Sequence, residues 1–266
     1  MRFISIFILA AILGAPVADG WAQTLDWRDD PAAAAVFAES GFRGTFVLYD
    51  VGKDEFSGYD RRRAETRYVP ASTFKIPNSL IGLEYGAVKD VDEPLPWDGQ
   101  AKWIKRWEKD MGLREAIKVS NVPAYQELAR RVGLDKMRRA VAELDYGNKD
   151  IGRTVDAFWL EGPLEISAVE QVRLLARLAQ GELPFAPEIQ AAVRDIVKAE
   201  EAADGALYAK TGTAAVYTPQ LGWLVGWVER SGRIYAFALN IDMPSPEDGP
   251  KRVELSRASL KALGIL

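Results

Sequence analysis

The stretch Tyr68-Val-Pro-Ala-Ser-Thr-Phe-Lys-Ile-Pro-Asn-Ser-Leu-Ile-Gly-Leu83 opens a helical region and carries two reactive side chains, Ser72 and Lys75. Residues three apart on a helix are separated by about one turn and share a face, so this hydroxyl and this amine can meet. A serine is a weak nucleophile and gains reactivity from a neighbouring base. We expect Pro70 to hold Ala71 extended, so that the helix begins close to Ser72.

The chain of 266 residues contains no cysteine and no histidine. A Ser-His-Asp triad, a cysteine nucleophile, a disulfide framework and zinc sites built from Cys or His are therefore excluded. A general base in this protein must be a carboxylate, a lysine, a tyrosine or the amino terminus. Lys75 is consequently a stronger candidate for the base than it would be in a chain with histidines.

The amino terminus has the pattern of a secretory signal peptide. Met1-Arg2 precedes an apolar run over residues 3–17, and small residues stand three before and one before a cleavage point ahead of Gln23. The run is shorter than the roughly 18 to 20 residues that a membrane span needs, and an uncleaved anchor is the alternative. We expect residues 1–22 to be removed on export to the periplasm, leaving residues 23–266 as a single catalytic domain without a stable membrane span.

The formal net charge of −4 favours neither nucleic acid nor an anionic membrane surface as a partner. The basic cluster Arg61-Arg62-Arg63 is flanked by Asp60 and Glu65, which is typical of a solvated face. The sequence carries no indication of an oligomeric state. The charge pattern therefore argues against nucleic-acid binding.

Hydrophobic periodicity and turn residues predict strands at both ends of the chain and helices between them. The expected strands cover residues 44–50, 55–59, 205–212, 221–229 and 233–242, with a tight turn at 230–232. Helices are expected over residues 27–40, 186–201 and 249–263, and helical patterns dominate from 72 to 181. This order indicates an α+β fold, in which an antiparallel sheet from both termini (about 23–65 and 202–266) is flanked by helices and holds an inserted helical region (about 66–201).

Three further motifs carry reactive or turn-forming residues. Lys210-Thr211-Gly212, on a predicted strand, combines a lysine, a hydroxyl and a glycine that allows close backbone approach, as a rail for an anionic, peptide-like substrate requires. Ser120-Asn121-Val122 places a hydroxyl at a loop-to-helix junction, and Pro123 suits a first helical turn. Tyr146-Gly147-Asn148 is a turn signal. Taken singly, each motif also has a plain structural explanation as a helix cap, a solvated lysine or a turn.

Together with Ser72-x-x-Lys75, these motifs resemble the signature of the class D serine β-lactamases, the oxacillin-hydrolysing kind. That class carries Ser-x-x-Lys, Ser-x-Val, Tyr-Gly-Asn and Lys-Thr-Gly, and all four occur here in that order. The likeness extends to residues 158–164 and 223–227 and covers nearly the whole exported chain. In class A the second motif reads Ser-Asp-Asn, whereas Asn121-Val122 follows Ser120 here. The resemblance implies the fold shared with penicillin-binding transpeptidases, and hydrolysis of penicillin-type antibiotics that gives resistance to them.

The resemblance also implies a mechanism. Ser72 attacks the lactam carbonyl, and the backbone N–H groups of Ser72 and Thr213 hold the oxyanion. Lys75 is the implied base, carbamylated by carbon dioxide or bicarbonate to N6-carboxylysine, with no metal and no bound organic cofactor. Ser120, assisted by Lys210, relays a proton towards the leaving nitrogen. Thr213 departs from the family, in which the residue after Lys-Thr-Gly is usually aromatic.

Two groups of supporting residues are implied in the same way. The apolar pocket of the modified lysine consists of Phe74, Val122 and Trp159, with the Trp159 indole N–H donating to the carbamate. The substrate carboxylate meets Lys210 and its neighbours. The residues expected to bind substrate are Thr211, Gly212, Arg252, Val122, Tyr146 and Leu160.

Two other interpretations remain open. A penicillin-binding protein or a β-lactam-sensing receptor domain of the same fold acylates without efficient turnover. A receptor needs membrane spans, and none is predicted after residue 22. A non-catalytic periplasmic binding protein has no reason to assemble Ser72, Lys75, Ser120 and Lys210.

Overall fold

The computed structural model describes residues 25–266 and has a seven-stranded sheet at its centre. The predicted signal peptide, residues 1–22, lies outside the described residues. The strands are β1 (Trp27–Asp29), β2 (Gly44–Asp50), β3 (Glu55–Tyr59), β4 (Lys198–Ala202), β5 (Gly205–Ala214), β6 (Gln220–Arg230) and β7 (Arg233–Met243). Their order is β1-β3-β2-β7-β6-β5-β4.

The sheet joins strands from both ends of the chain, as predicted. β2 pairs with β7 over its whole length, from Gly44 opposite Ile241 to Asp50 opposite Tyr235. The neighbouring pairs are antiparallel, with one exception at the edge, where β1 runs parallel to β3. The predicted strands do form antiparallel pairs, and the sheet is mixed only because the short strand β1, which was not predicted, joins its edge in parallel.

Helices cover both faces of the sheet. Alternation along β2 divides the core, because Phe46 and Leu48 pack on one side and Val47 packs on the other. α1 and α9 lie on the first side, and α7 crosses the second, against β2, β6 and β7. The helices are α1 (Pro31–Ser40), α2 (Arg61–Glu65), α3 (Lys75–Glu84), α4 (Leu113–Lys118), α5 (Val122–Val132), α6 (Leu134–Glu143), α7 (Ala168–Gln180), α8 (Pro187–Val197) and α9 (Lys251–Ala262). The α+β architecture with an inserted helical region is confirmed.

Two predicted helices are shorter than expected. The first, predicted over residues 27–40, begins only at Pro31, because Asp30 caps it by accepting hydrogen bonds from the N–H groups of Ala32 and Ala33. The preceding residues form β1. The helix predicted over residues 186–201 ends at Val197, and the chain continues as the edge strand β4. The second stretch of the sheet thus starts at Lys198 rather than near residue 202.

The tight turn between β6 and β7 is confirmed. Ser231 and Gly232 both have positive φ, 49° and 75°, and Arg230 pairs with Arg233. Two such residues form the hairpin turn whose twist matches that of the flanking strands. In the part of the chain that the structure describes, no helix has the length and apolarity needed to span a membrane.

Candidate active site

Ser72 lies in a short 3-10 turn, Ala71–Phe74, that leads directly into α3. Ala71 has a φ of 50° although its side chain is buried. The expectation that Pro70 would hold Ala71 extended is wrong, because a proline restricts the residue before it, here Val69, and not the residue after it. A non-glycine residue in this conformation persists only where its surroundings hold it. The nucleophile candidate therefore stands on a strained turn.

Lys75 points from the start of α3 towards Ser72 and is entirely buried, with 0% of its surface exposed. Its Nζ donates a hydrogen bond to Ser72 Oγ over 2.9 Å and lies 5.3 Å from the centre of the Tyr125 ring. Burial lowers the pKa of Lys75 well below its ordinary value, and the positive charge of Lys210 lowers it further. The amine is therefore held in an environment that favours its neutral form.

A cluster of buried aromatic rings is built around Phe74, the residue directly before this lysine. Phe74 stacks on Trp159 with ring centres 5.6 Å apart and meets Phe158 edge-on at 5.0 Å. The indole Nε1 of Trp159 is buried and has no hydrogen-bond partner among the described residues. Such an orphaned donor is costly unless another group accepts from it. Val122 and Leu160, also predicted for the site, are half-buried.

Ser120 lies directly before α5, as its motif predicted, in a conformation with a φ of 54°. The cap of α5 is its neighbour Asn121, whose side chain accepts from the N–H of Ala124, so Ser120 is not needed as a cap. The free hydroxyl instead accepts a hydrogen bond from Lys210 Nζ over 3.2 Å. Two of the predicted catalytic side chains are thus brought together across the boundary between helices and sheet.

Lys210 reaches Ser120 from β5 and is only 5% exposed. Its Nζ also donates to the carbonyl oxygen of Thr211 over 2.9 Å. Burial, and secondarily the positive charge of Arg252, lower the pKa of Lys210 from 10.5 to about 7. At neutral pH this lysine can therefore either carry a charge or give up a proton.

Beyond Tyr208 the outer edge of β5 has no strand partner in the described residues, because β4 pairs only with the first part of the strand. This edge runs past the nucleophile turn. A Cβ at Gly212 would lie 3.0 Å from the carbonyl oxygen of Pro70 and 3.3 Å from the nitrogen of Thr73, tighter than most Cβ contacts, so glycine favours this close approach. The Lys-Thr-Gly strand thus lies beside the nucleophile turn, and its role as a substrate rail stays a prediction.

Arg252, at the start of α9, contacts the same strand. Its Nη1 donates to the carbonyl oxygen of Gly212 over 2.5 Å and to Thr213 Oγ1 over 2.6 Å. Lys210, Thr211 and Arg252 together form a cationic, hydrogen-bonding surface beside Ser120. A substrate carboxylate is the ligand that suits such a surface.

Tyr146 does not line this surface. Its side chain is 1% exposed and packs edge-on against Phe74 with ring centres 5.4 Å apart. With its ring buried against Phe74, Tyr146 has little surface to offer a ligand, and its role as a substrate-binding residue stays a prediction. The Tyr146 ring supports Phe74 from behind.

The other two residues of this motif shape the backbone. Gly147 has a φ of 53°, and a Cβ there would lie 2.0 Å from the carbonyl oxygen of Glu165. Asn148 donates through Nδ2 to the carbonyl oxygen of Pro163 and accepts through Oδ1 from the N–H of Glu165. The Tyr-Gly-Asn motif thus fixes the segment that follows Phe158 and Trp159.

Sequence reasoning did not identify two supporting residues. Tyr125 is one turn after Val122 on α5, and its buried hydroxyl pairs with Ser79 while its ring flanks Lys75. Its helical spacing from Val122 was the available signal. Trp107 donates from Nε1 to the carbonyl oxygen of Val119 over 3.0 Å and so holds the backbone just before Ser120. No sequence pattern points to that contact.

The geometry supports acyl transfer. A hydroxyl stands beside an amine whose pKa is lowered by burial, a second hydroxyl pairs with a lysine whose pKa is lowered to about 7, and a cationic strand edge adjoins both. A nucleophile, a base, a proton relay and an anion site are the parts that this chemistry needs.

Comparison with known proteins agrees with this arrangement. A family model for the penicillin-binding protein transpeptidase domain matches residues 42–261. Beta-lactamase OXA-48 of Klebsiella pneumoniae is 39% identical over 263 residues, 98% of this chain and 97% of its own. Beta-lactamase OXA-10 of Pseudomonas aeruginosa is 37% identical over 99% of this chain and 98% of its own. The crystal structure of FUS-1 (OXA-85), a class D β-lactamase from Fusobacterium nucleatum subsp. polymorphum, matches with a TM-score of 0.87 at 46% identity, covering 90% of this chain and 100% of that one.

Proposed function

The chain belongs to the class D β-lactamases, which hydrolyse β-lactams, and we propose that it does so through an acyl-enzyme on Ser72 with Lys75 as the general base. The observation that carries this proposal is the 2.9 Å contact between Lys75 Nζ and Ser72 Oγ inside a buried pocket. Hydrolysis of penicillins by such an enzyme is the source of antibiotic resistance in its host.

In the proposed acylation, Ser72 Oγ attacks the lactam carbonyl carbon while Lys75 accepts its proton. The backbone N–H groups of Ser72 and Thr213 stabilise the negative charge that develops on the carbonyl oxygen. The C–N bond of the ring then breaks, and the leaving nitrogen takes a proton through Ser120 from Lys210. A pKa of about 7 suits Lys210 to this role, because efficient proton donors titrate near the working pH.

We propose that Lys75 works as N6-carboxylysine, formed when its neutral amine adds carbon dioxide. Burial lowers the pKa of the amine, and the unpaired indole N–H of Trp159 is a donor suited to a carboxylate oxygen. Phe74 and Val122 complete the apolar lining. Carboxylation gives the lysine a carboxylate that accepts a proton from Ser72 in acylation and releases it to solvent, while Lys210 regains a proton from solvent. The same carboxylate then accepts a proton from the hydrolytic water and returns it to Ser72 Oγ as the acyl bond breaks, so deacylation needs no separate acidic residue.

We propose that the substrate lies along β5, with its carboxylate bound by Lys210, Thr211 and Arg252. Gly212 allows the close approach, and the half-buried Val122 and Leu160 provide apolar contacts for the body of the substrate. Thr213 contributes its backbone N–H to the oxyanion site, while its side-chain hydroxyl accepts a hydrogen bond from Arg252.

We also propose export to the periplasm with removal of residues 1–22, on the strength of the signal-peptide pattern. Expression of the full chain in a Gram-negative host, followed by amino-terminal sequencing of the periplasmic protein, should give Gln23 as the first residue. An amino terminus at Met1 in a membrane fraction would contradict the proposal.

The function is tested by mixing purified protein with benzylpenicillin and with oxacillin. We expect many turnovers per enzyme and a transient mass increase equal to one substrate, which Ser72→Ala abolishes. A permanent one-to-one adduct would instead identify a sensor or a transpeptidase. If the protein shows neither an adduct nor turnover, the proposal fails.

A further inference from the structure

The peptide of Val69, three residues before the nucleophile, is held on both sides by aromatic side chains. The N–H of Val69 donates to Tyr217 Oη over 3.0 Å, and the indole Nε1 of Trp223 donates to the carbonyl oxygen of Val69 over 3.0 Å. Trp223 is on β6, and Tyr217 is on the loop that joins β5 to β6. The chain that enters the nucleophile turn is therefore tied to the strand pair that forms the rail.

This attachment matters because the turn is strained. Ala71 has a φ of 50°, a conformation that a residue with a Cβ adopts unfavourably. Its neighbour Pro70 lies within van der Waals reach of Gly212 on β5. The position of the turn relative to β5 is thus set by the contacts that surround Val69 and Pro70, and not by the preference of the local chain.

Aromatic contacts hold the Tyr217 ring in place. Its ring meets Tyr68 edge-on with ring centres 5.8 Å apart, and Tyr68 also meets Trp223 edge-on at 6.4 Å. Burial raises the pKa of Tyr217, and the nearby Glu165 carboxylate raises it too, although the Val69 N–H lowers it. The hydroxyl therefore stays protonated and neutral at physiological pH and remains available as the acceptor.

We propose that Tyr217 is a positioning residue for hydrolysis: by binding the Val69 N–H, its hydroxyl fixes the spacing between the nucleophile turn and β5. The inference rests on the proposed function, in which one oxyanion-binding N–H comes from Ser72 on the turn and the other from Thr213 on β5. Two donors on separate elements stabilise a transition state only if their separation is held. Every β-lactam uses the same two donors, so the effect should not depend on the substrate.

The test is Tyr217→Phe, which removes the hydroxyl and keeps the ring against Tyr68. We expect kcat and kcat/KM to fall together by roughly tenfold or more, because small misplacements of reacting groups are costly. The loss should be similar for benzylpenicillin and for a bulky cephalosporin, with the melting temperature little changed. The matched control is Tyr49→Phe, which removes a hydroxyl bonded to Asp54 at the distant β2–β3 hairpin and should leave the kinetics unchanged.

Three results would overturn the proposal. The first is Tyr217→Phe kinetics within twofold of the wild type. The second is a loss confined to one substrate, or a higher KM with kcat retained, which would make Tyr217 a substrate contact. The third is a lower melting temperature with a normal rate per titrated active site, which would make it merely structural. Wild-type turnover is measured first, and its absence would count against the proposed function instead.

Discussion

Lys75 Nζ lies 2.9 Å from Ser72 Oγ at a position where none of the lysine surface is exposed. An uncompensated buried ammonium is unfavourable, so burial lowers the pKa of Lys75 and favours the neutral amine, the form that can accept a proton or react with carbon dioxide. The reactivity of the Lys75 amine therefore depends on the burial of its side chain.

Lys75→Ala should abolish turnover while the protein remains folded. We expect kcat/KM for benzylpenicillin to fall by about a thousandfold or more, as is usual when a central catalytic group is removed. The melting temperature should stay the same or rise, because the change removes a polar group from an apolar pocket. Lys89→Ala, at an exposed lysine, is the control and should have no effect on the rate. Wild-type turnover in Lys75→Ala would refute the assignment of the base.

Trp159→Phe tests the orphaned indole N–H. The ring stack on Phe74 is largely kept, and the donor to the modified lysine is lost. Since a hydrogen bond to a charged group contributes roughly 1.5–3 kcal/mol, the bicarbonate concentration for half-maximal activity should rise by about tenfold or more. Trp97→Phe, which removes an indole N–H bonded in an exposed loop, should leave this concentration unchanged. An identical bicarbonate dependence in Trp159→Phe and wild type would contradict the role of Trp159.

The pKa of Lys210, lowered by burial and secondarily by the positive charge of Arg252, should set the pH dependence of the reaction. The charged form of Lys210 is the one that binds a carboxylate and donates a proton, so kcat/KM should fall as the pH rises through about 7 in the free enzyme. The positive charge of Arg252 lowers the pKa of Lys210, and Arg252→Ala should therefore move this alkaline limb to higher pH.

The control for Arg252 is Arg257→Ala, on the same helix but paired with Glu200. Arg257→Ala should leave the pH of the alkaline limb of kcat/KM unchanged. Arg252→Ala should also raise KM, because a contact with the substrate carboxylate is lost. An alkaline limb that does not move in Arg252→Ala would show that Lys210 does not govern it.

Tyr146→Phe distinguishes a buried support from a substrate contact. The hydroxyl is buried and has no hydrogen-bond partner among residues 25–266, and the ring packs on Phe74. Its removal should leave KM for benzylpenicillin unchanged within about twofold and should cost little unfolding free energy. A clear rise in KM with unaltered stability would support the prediction that Tyr146 contacts the substrate.

Much of the fold could be predicted from short-range patterns. β2 is a continuous run of mostly β-forming, buried residues, and Ser231-Gly232 supplies the positive φ angles of a tight turn. β4 could not be predicted, because Lys-Ala-Glu-Glu-Ala has the composition of a helix end and becomes a strand only by pairing with β5. The three residues of β1 are likewise too few to show a period.

The identity of the reactive side chains in the candidate site could be predicted, because the sequence shows their spacing and their order. The sequence did not show which helices and strands pack against each other. The strain at Ala71, the burial of Tyr146 and the contact of Tyr217 with Val69 all depend on how β5 and β6 pack against the nucleophile turn. The helix and strand propensities of single residues do not predict such long-range contacts.

The central claim is that Lys75 acts as a carboxylated base, and labelled bicarbonate tests it most directly. Enzyme stripped of carbon dioxide should lose turnover of benzylpenicillin and regain it when 13C-bicarbonate is added. A carbamate carbon resonance should appear in parallel in the wild type and should be absent from Lys75→Ala. Turnover that is independent of bicarbonate, without any carbamate resonance, would contradict the account.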